Sequence, residues 1–84
     1  MKPVLIYTTS RCPYCVRAKA LLDKKKVSYN EINVENDEDL RAKMTEKAGG
    51  KRSVPQIFIG SHHVGGCDDL HALDARGELD TLLA

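Results

Sequence analysis

The chain has 84 residues, room for one small domain spanning 1–84 and not for two, and its 42% hydrophobic and 30% charged residues fit a soluble globular class rather than a disordered one. A domain of this size buries somewhat over roughly 60% of the surface of its unfolded chain, which is marginal but sufficient to stand alone. The longest apolar stretches, such as Val4-Leu5-Ile6-Tyr7, fall far short of the about 20 residues of a membrane span and the about 7–15 of a signal peptide's apolar region, so the expected location is cytoplasmic.

Thirteen basic against twelve acidic residues leave a formal net charge of +1, too balanced for a nucleic-acid binder judged on charge alone. The distribution is uneven. Residues 1–26 carry seven basic side chains against Asp23 alone, and residues 67–84 carry five acidic side chains against Arg76 alone. Solvated helix faces account for this pattern more simply than a basic rim around a site near the N-terminus.

In chain order, Pro3 to Thr8 reads as a strand, and its unbroken apolar run suits a central strand covered on both faces. A short polar loop, Thr8-Thr9-Ser10-Arg11, leads into a helix that Pro13 opens, since the first helical position needs no N–H donor. Cys15, Ala18, Leu21 and Leu22 form its apolar stripe, and Lys24-Lys25-Lys26 closes it against the negative end of its dipole. A second strand lies near Ser28–Val34. Asn36 then offers an N-cap to a second helix, with Asp37, Glu38 and Asp39 in its first turn, Leu40, Met44 and Ala48 as its buried stripe, and Gly49-Gly50 as its stop.

Gln56-Ile57-Phe58-Ile59 is a third strand, turned at Gly60-Ser61 into a short fourth at His62–Val64. Gly65-Gly66 precedes a last helix beginning at Cys67 or Asp68, with Leu70 and Leu73 inward and Gly77 at its C-terminal cap. Leu79, Leu82 and Leu83 pack a final short helix onto the sheet. The order β-α-β-α-β-β-α predicts an α/β fold with a mixed four-stranded sheet flanked by helices. Early strands alternating with helices should pair in parallel and the late hairpin antiparallel. Tyr7, Tyr29 and Phe58 are expected in the core, and His62, His63 and His71 on the surface.

The chemistry lies in the cysteines. Cys12, Cys15 and Cys67 are an odd number, which does not suit a secreted disulfide scaffold, and in a reducing cytosol a Cys-x-x-Cys pair points to redox work or metal binding. Cys12-Pro13-Tyr14-Cys15 stands where a strand ends and a helix begins, so a thiol there meets unpaired backbone N–H groups and the positive end of the helix dipole. Such settings bring cysteine pKa values to about 3.5–7.5, and a drop of about 3 units corresponds to roughly 4 kcal/mol of differential stabilisation. Arg11 and Arg17 lie close enough in sequence to add to it. Cys12, at the loop edge, is the expected nucleophile, and Cys15, one turn on, the expected resolving thiol. Zinc is the competing chemistry, with two of His62, His63, Cys67 and His71 joining the pair. A knuckle of that kind favours loops, however, whereas Pro13 starts a helix directly after an apolar strand.

Three landmarks, Thr8 through Cys15, Ser53-Val54-Pro55-Gln56-Ile57-Phe58-Ile59, and Gly65-Gly66-Cys67-Asp68-Asp69-Leu70, resemble in order and separation those of a dithiol glutaredoxin of the compact bacterial type. The resemblance spans essentially the whole chain. It implies a thioredoxin fold, attack by Cys12 on glutathione mixed disulfides, reduction of protein disulfides completed by Cys15, and regeneration by glutathione as co-substrate with no bound cofactor. It also implies clients among disulfide-containing or glutathionylated proteins, ribonucleotide reductase being one the family serves, and a monomer acting without nucleic acid or membrane.

Within the resemblance, glutathione is held along Ser53, Val54 and a cis Pro55, whose geometry frees the Val54 backbone to pair with the tripeptide like an added strand. Gly66, Cys67 and Asp68 open the last helix, whose N–H groups suit the γ-glutamyl carboxylate; Asp68 or Asp69 receives the ammonium, Asp68 being the one that matches the family's ligand position, and Tyr14 forms a rim. One position departs from the family pattern: Thr9 stands where a lysine commonly contacts the glycyl carboxylate, and Arg11, Lys51 or Arg52 is left to supply that charge. A thioredoxin-like enzyme is disfavoured because the chain has no Trp. An iron–sulfur carrier using Cys12 is disfavoured because Cys15 and Pro13 stand where such glutaredoxins usually have serine or glycine. Cys67 reads as a small, semi-buried residue that could also serve as an oxidation-sensitive extra thiol.

Overall fold

The computed structural model describes residues 2–84. Strands β1 (Val4–Thr8), β2 (Asn30–Asn33), β3 (Gln56–Ile59) and β4 (His62–Gly65) form one sheet in the order β2-β1-β3-β4. Helices α1 (Pro13–Lys24), α2 (Glu38–Lys47), α3 (Cys67–Ala75) and α4 (Leu79–Leu83) complete the chain. β1 and β2 pair in parallel with Tyr7 opposite Ile32, as helix-linked strands should. β3 departs from that expectation. Although a helix precedes it, it runs antiparallel to β1, with Tyr7 opposite Gln56, and the β3–β4 hairpin follows antiparallel to it.

Alternation along the central strands sends their side chains to two cores. Val4 and Ile6 of β1 and Ile57 and Ile59 of β3 meet Ala18, Leu21 and Leu22 of α1, Leu70 of α3, and Leu79 and Leu83 of α4. On the opposite face Tyr7 and Phe58 meet Met44 and Ala48, with Leu40 and Val54 packed at the margin. Tyr7 and Phe58 contact edge to face, ring centroids 5.9 Å apart, while Tyr29 is only half-buried against the first core.

The three longer helices end alike. In α2 the N–H groups of Gly49 and Gly50 return to Glu46 and Thr45, and in α3 those of Gly77 and Glu78 return to Asp74 and Leu73, each with a glycine at positive φ. α1 ends in the same pair of bonds, from Lys26 to Asp23 and Val27 to Leu22, but its positive-φ residue is Lys26, at 58°. That position normally takes glycine, so the lysine run closes α1 by backbone geometry as well as by charge. At the start of α2 the cap is Asp37 rather than Asn36: its side chain accepts from the Leu40 N–H at 3.0 Å, and only Glu38 and Asp39 lie in the first turn. The charged ends of the chain also meet. The Lys25 ammonium at the end of α1 reaches Asp74 at 2.7 Å and Asp80 at 3.1 Å, and hydrogen bonds to the two carboxylates raise its pKa. Part of the basic N-terminal segment is therefore neutralised by the acidic C-terminal one.

Candidate active site

β1 delivers the chain to the rim of the sheet, and Cys12 becomes the N-cap of α1, its backbone extended at φ −130°, ψ 100°. Its sulfur accepts from the Cys15 N–H at 3.0 Å, which satisfies one of the donors that a helix start leaves unpaired. Pro13 follows at the first helical position. Cys12 and Cys15 are joined as a disulfide with Cα atoms 5.1 Å apart. Cys15 lies in the interior at 1% exposure and Cys12 is half-buried, less open than a bare loop-edge thiol, while Pro13 is exposed. Tyr14, 53% exposed, stands outside the pair with the Arg17 guanidinium 5.7 Å from its ring centroid. The helix-terminal N–H aimed at the Cys12 sulfur favours a thiolate there once the disulfide is reduced.

Beside Cys12 opens a shallow groove of about 190 Å³. One wall is Ser53, Val54 and Pro55, with the Val54–Pro55 peptide cis, and the Cys12 sulfur lies 3.8 Å from the Val54 carbonyl oxygen. The other wall is the start of α3, at Gly66, Cys67 and Asp68, and Tyr14 forms the rim. A Cβ placed on Gly66 would stand 3.6 Å from the Pro55 carbonyl oxygen, so the two walls approach closely. At Gly65 the constraint is tighter. Its φ is +113°, and the Asp69 carboxylate carbon lies 3.0 Å from where a Cβ would be. That carboxylate accepts the Gly66 N–H at 3.0 Å, so Asp69 closes the capping box at the start of α3; both Asp68 and Asp69 are exposed and line the groove.

The groove thus gathers Tyr14, Ser53, Val54, Pro55, Gly66, Cys67 and Asp68 beside Cys12, and leaves Arg11 outside its lining. Of the three cations that could replace the lysine missing at Thr9, Arg52 is paired with Glu38 at 2.8 Å, Arg11 is not among the residues lining the groove, and Lys51 lines it. Gln56 also lines it, and sequence reasoning had taken it only as a strand residue. The available signal was a polar amide at the head of an otherwise apolar strand.

Cys67 is more buried than expected, at 5% exposure. Burial above all, and then Asp68, pushes its thiol pKa up, against a smaller opposing pull from Arg17. His71, one turn on, brings Nδ1 within 3.0 Å of the Cys67 carbonyl oxygen and 3.4 Å of its sulfur. His63 is not a surface residue. It is half-buried, with its ring stacked on Phe58 at 4.8 Å and Nε2 at 2.7 Å from Gln56 Oε1. Among the described residues no three His, Cys, Asp or Glu side chains converge as a metal site, because His63 is turned toward Gln56 and His71 toward its own helix.

The glutaredoxin family model matches residues 4–64. A glutaredoxin from Pseudomonas aeruginosa is 57% identical over 84 residues, covering 100% of this chain and 99% of that protein. Among solved structures, the solution structure of glutaredoxin from Brucella melitensis is 57% identical with a TM-score of 0.87, covering 99% of this chain and 89% of that one. The crystal structure of a buckwheat glutaredoxin–glutathione complex is 34% identical with a TM-score of 0.87, covering 98% and 76%.

Proposed function

The chain belongs to the glutaredoxin family and is a glutathione-dependent thiol oxidoreductase of thioredoxin fold, and on that premise we propose that Cys12 is its attacking thiolate, Cys15 its resolving thiol and the adjoining groove its glutathione site. The observation that carries the reading is the position of the Cys12 sulfur, 3.0 Å from a helix-terminal N–H and 3.8 Å from the Val54 carbonyl at the groove wall.

In the reaction with a glutathione mixed disulfide, the Cys12 thiolate attacks the glutathionyl sulfur. The client leaves as a thiolate that takes up a proton, and Cys12 holds glutathione as a mixed disulfide. A second glutathione thiolate attacks the bound glutathionyl sulfur, so that oxidised glutathione departs and the Cys12 thiolate returns. With a protein disulfide, the Cys12 thiolate attacks one client sulfur, the client S–S bond breaks, and the other client sulfur leaves as a thiolate that takes up a proton. Cys15 then attacks the Cys12 sulfur, releasing the second client thiol and leaving the Cys12–Cys15 disulfide, which two glutathiones reduce.

The groove suits the tripeptide chemically. The Val54 backbone serves as a docking edge, the N–H groups at the start of α3 receive the γ-glutamyl carboxylate, Asp68 receives the ammonium, and Lys51 supplies the charge for the glycyl carboxylate. Asp68 is preferred to Asp69 for the ammonium because Asp69 already accepts the Gly66 N–H while Asp68 has no such partner among the described residues. Tyr14 and Ser53 border the bound ligand, and Arg11, outside the lining, acts at most through its long-range charge. We read residues 1–84 as one catalytic domain, monomeric and cytoplasmic, that takes disulfide-containing and glutathionylated proteins as clients and needs no resident cofactor. No helix among the described residues is long and apolar enough to cross a membrane. A zinc or iron–sulfur module built on Cys12 is not favoured, since His63 is bonded to Gln56 and no three His, Cys, Asp or Glu side chains converge among the described residues.

The test is NADPH consumption with glutathione, glutathione reductase and a glutathionylated peptide. Turnover that is lost in Cys12→Ser supports the reading, and wild-type protein without glutathione-dependent turnover overturns it.

A further inference from the structure

Gln56 heads a strand whose four residues are all buried, and at 1% exposure it is, with Thr8, one of two buried polar residues among those described. A primary amide in such a place is costly unless its donors and acceptor are all used. Here they are. Nε2 donates to the Ser53 carbonyl oxygen at 2.9 Å and to Ser53 Oγ at 3.2 Å, and Oε1 lies 2.7 Å from His63 Nε2. The direction of this chain is forced by chemistry. A carbonyl oxygen can only accept, so the amide turns its NH₂ toward Ser53 and its oxygen toward His63. His63 must then donate from Nε2.

Both the neutral Nε2–H tautomer and the imidazolium carry that proton, so the bond survives titration of the ring. Stacking on Phe58 holds the ring in plane, and burial, followed by Lys51, lowers its pKa and favours the neutral form. The relay runs from the edge strand β4, through the head of β3, to the residue immediately before Val54.

Resting on the glutathione site proposed above, we propose that Gln56 and His63 are positioning residues for glutathione: His63 orients the Gln56 amide, and the amide anchors Ser53 so that the Val54 backbone is held ready along the groove. Neither side chain exchanges a proton or sulfur with the substrate. Their contribution is preorganisation, which reduces the ordering cost of docking an extended peptide.

The experiment is steady-state kinetics with the glutathionylated peptide. His63→Leu keeps the bulk at that position but removes the donor, and is expected to raise KM about fivefold, the worth of one hydrogen bond, with kcat within about twofold. His63→Gln, which returns an N–H donor, restores KM to near the wild-type value. Gln56→Met, similar in shape but without donors, raises KM as His63→Leu does. An unchanged KM in folded His63→Leu and Gln56→Met overturns the inference, as does a loss confined to kcat. Failure of His63→Gln to restore KM also overturns it, because ring packing would then be the cause. These outcomes are read in a wild-type background that turns over, so they are distinct from failure of the site itself, which would appear as wild-type protein no more active than Cys12→Ser.

Discussion

Two cysteines stand at helix starts in this protein, and they differ in almost everything else. Cys12 is the N-cap of α1, half-buried, with its sulfur 3.8 Å from the Val54 carbonyl oxygen at the groove wall and a backbone N–H donated to it at 3.0 Å. Cys67 is the first residue of α3, 5% exposed, and its thiol is pushed up by burial and by Asp68. A helix N-terminus therefore does not by itself make a reactive thiol. The N-cap side chain turns back over the first turn and meets the free N–H groups, whereas the side chain of the first helical residue points into the packing between helix and sheet, where desolvation penalises the charged form. Cys67 still lines the groove, so a residue can border the site while burial disfavours its thiolate.

The largest expected contrast comes from replacing each sulfur. Cys12→Ser should reduce glutathione-dependent turnover to background, whereas Cys67→Ala should leave kcat/KM within about twofold. A large loss in the latter would break the comparison. Cys15→Ser should divide the two routes, abolishing multiple-turnover reduction of a protein disulfide such as insulin while retaining reduction of a glutathionylated peptide. In reduced protein at pH 7, iodoacetamide should modify Cys67 at least about a hundredfold more slowly than Cys12, as peptide mass spectrometry would show.

The pH dependence of that modification follows from the sign of the shift. Burial raises the Cys67 thiol above the ordinary value of 9.0, so it is mostly protonated at that pH and its modification rate should keep rising beyond pH 9 instead of levelling off there. A plateau below pH 9 would contradict the burial argument. The smallest effect separates the neighbouring acids. Asp68→Ala should raise KM for the glutathionylated peptide about fivefold with unchanged thermal stability. Asp69→Ala should instead cost about 1 kcal/mol of stability, as the loss of a cap does, measured by denaturant unfolding.

Much of this was legible from local pattern. The Cys12-Pro13 junction, the stripe Cys15, Ala18, Leu21 and Leu22, and the strand Gln56–Ile59 each follow from residue type and period, which depend on near neighbours. The end of α1 was legible only in part. Lysines announce favourable charge, but nothing local marks Lys26 as the residue that adopts a glycine conformation. The Asn36–Asp37 choice of cap was similarly ambiguous, because both residues can serve.

The groove was legible as two sequence landmarks but not as a constellation. Lys51 rather than Arg11 or Arg52 lines it because Glu38, on another element, takes Arg52, and that contact depends on how α2 packs. His63 read as a surface residue of a hairpin because its partners, Gln56 and Phe58, are brought beside it only by the β3–β4 register. The direction of β3 was likewise beyond local pattern, since alternation with helices predicts parallel pairing and the two-sided burial of β1 is compatible with either direction.

The sequence by itself determined the elements, the redox pair at a helix start and the family to which the chain belongs, because each rests on short-range spacing and steric preference. Tertiary structure alone decided how deeply Cys67 is buried, which cation faces the groove, which aspartate caps α3 and why a glutamine sits in the core. Those outcomes depend on desolvation and on hydrogen bonds between residues distant in the chain, and such terms exist only once the sheet has assembled.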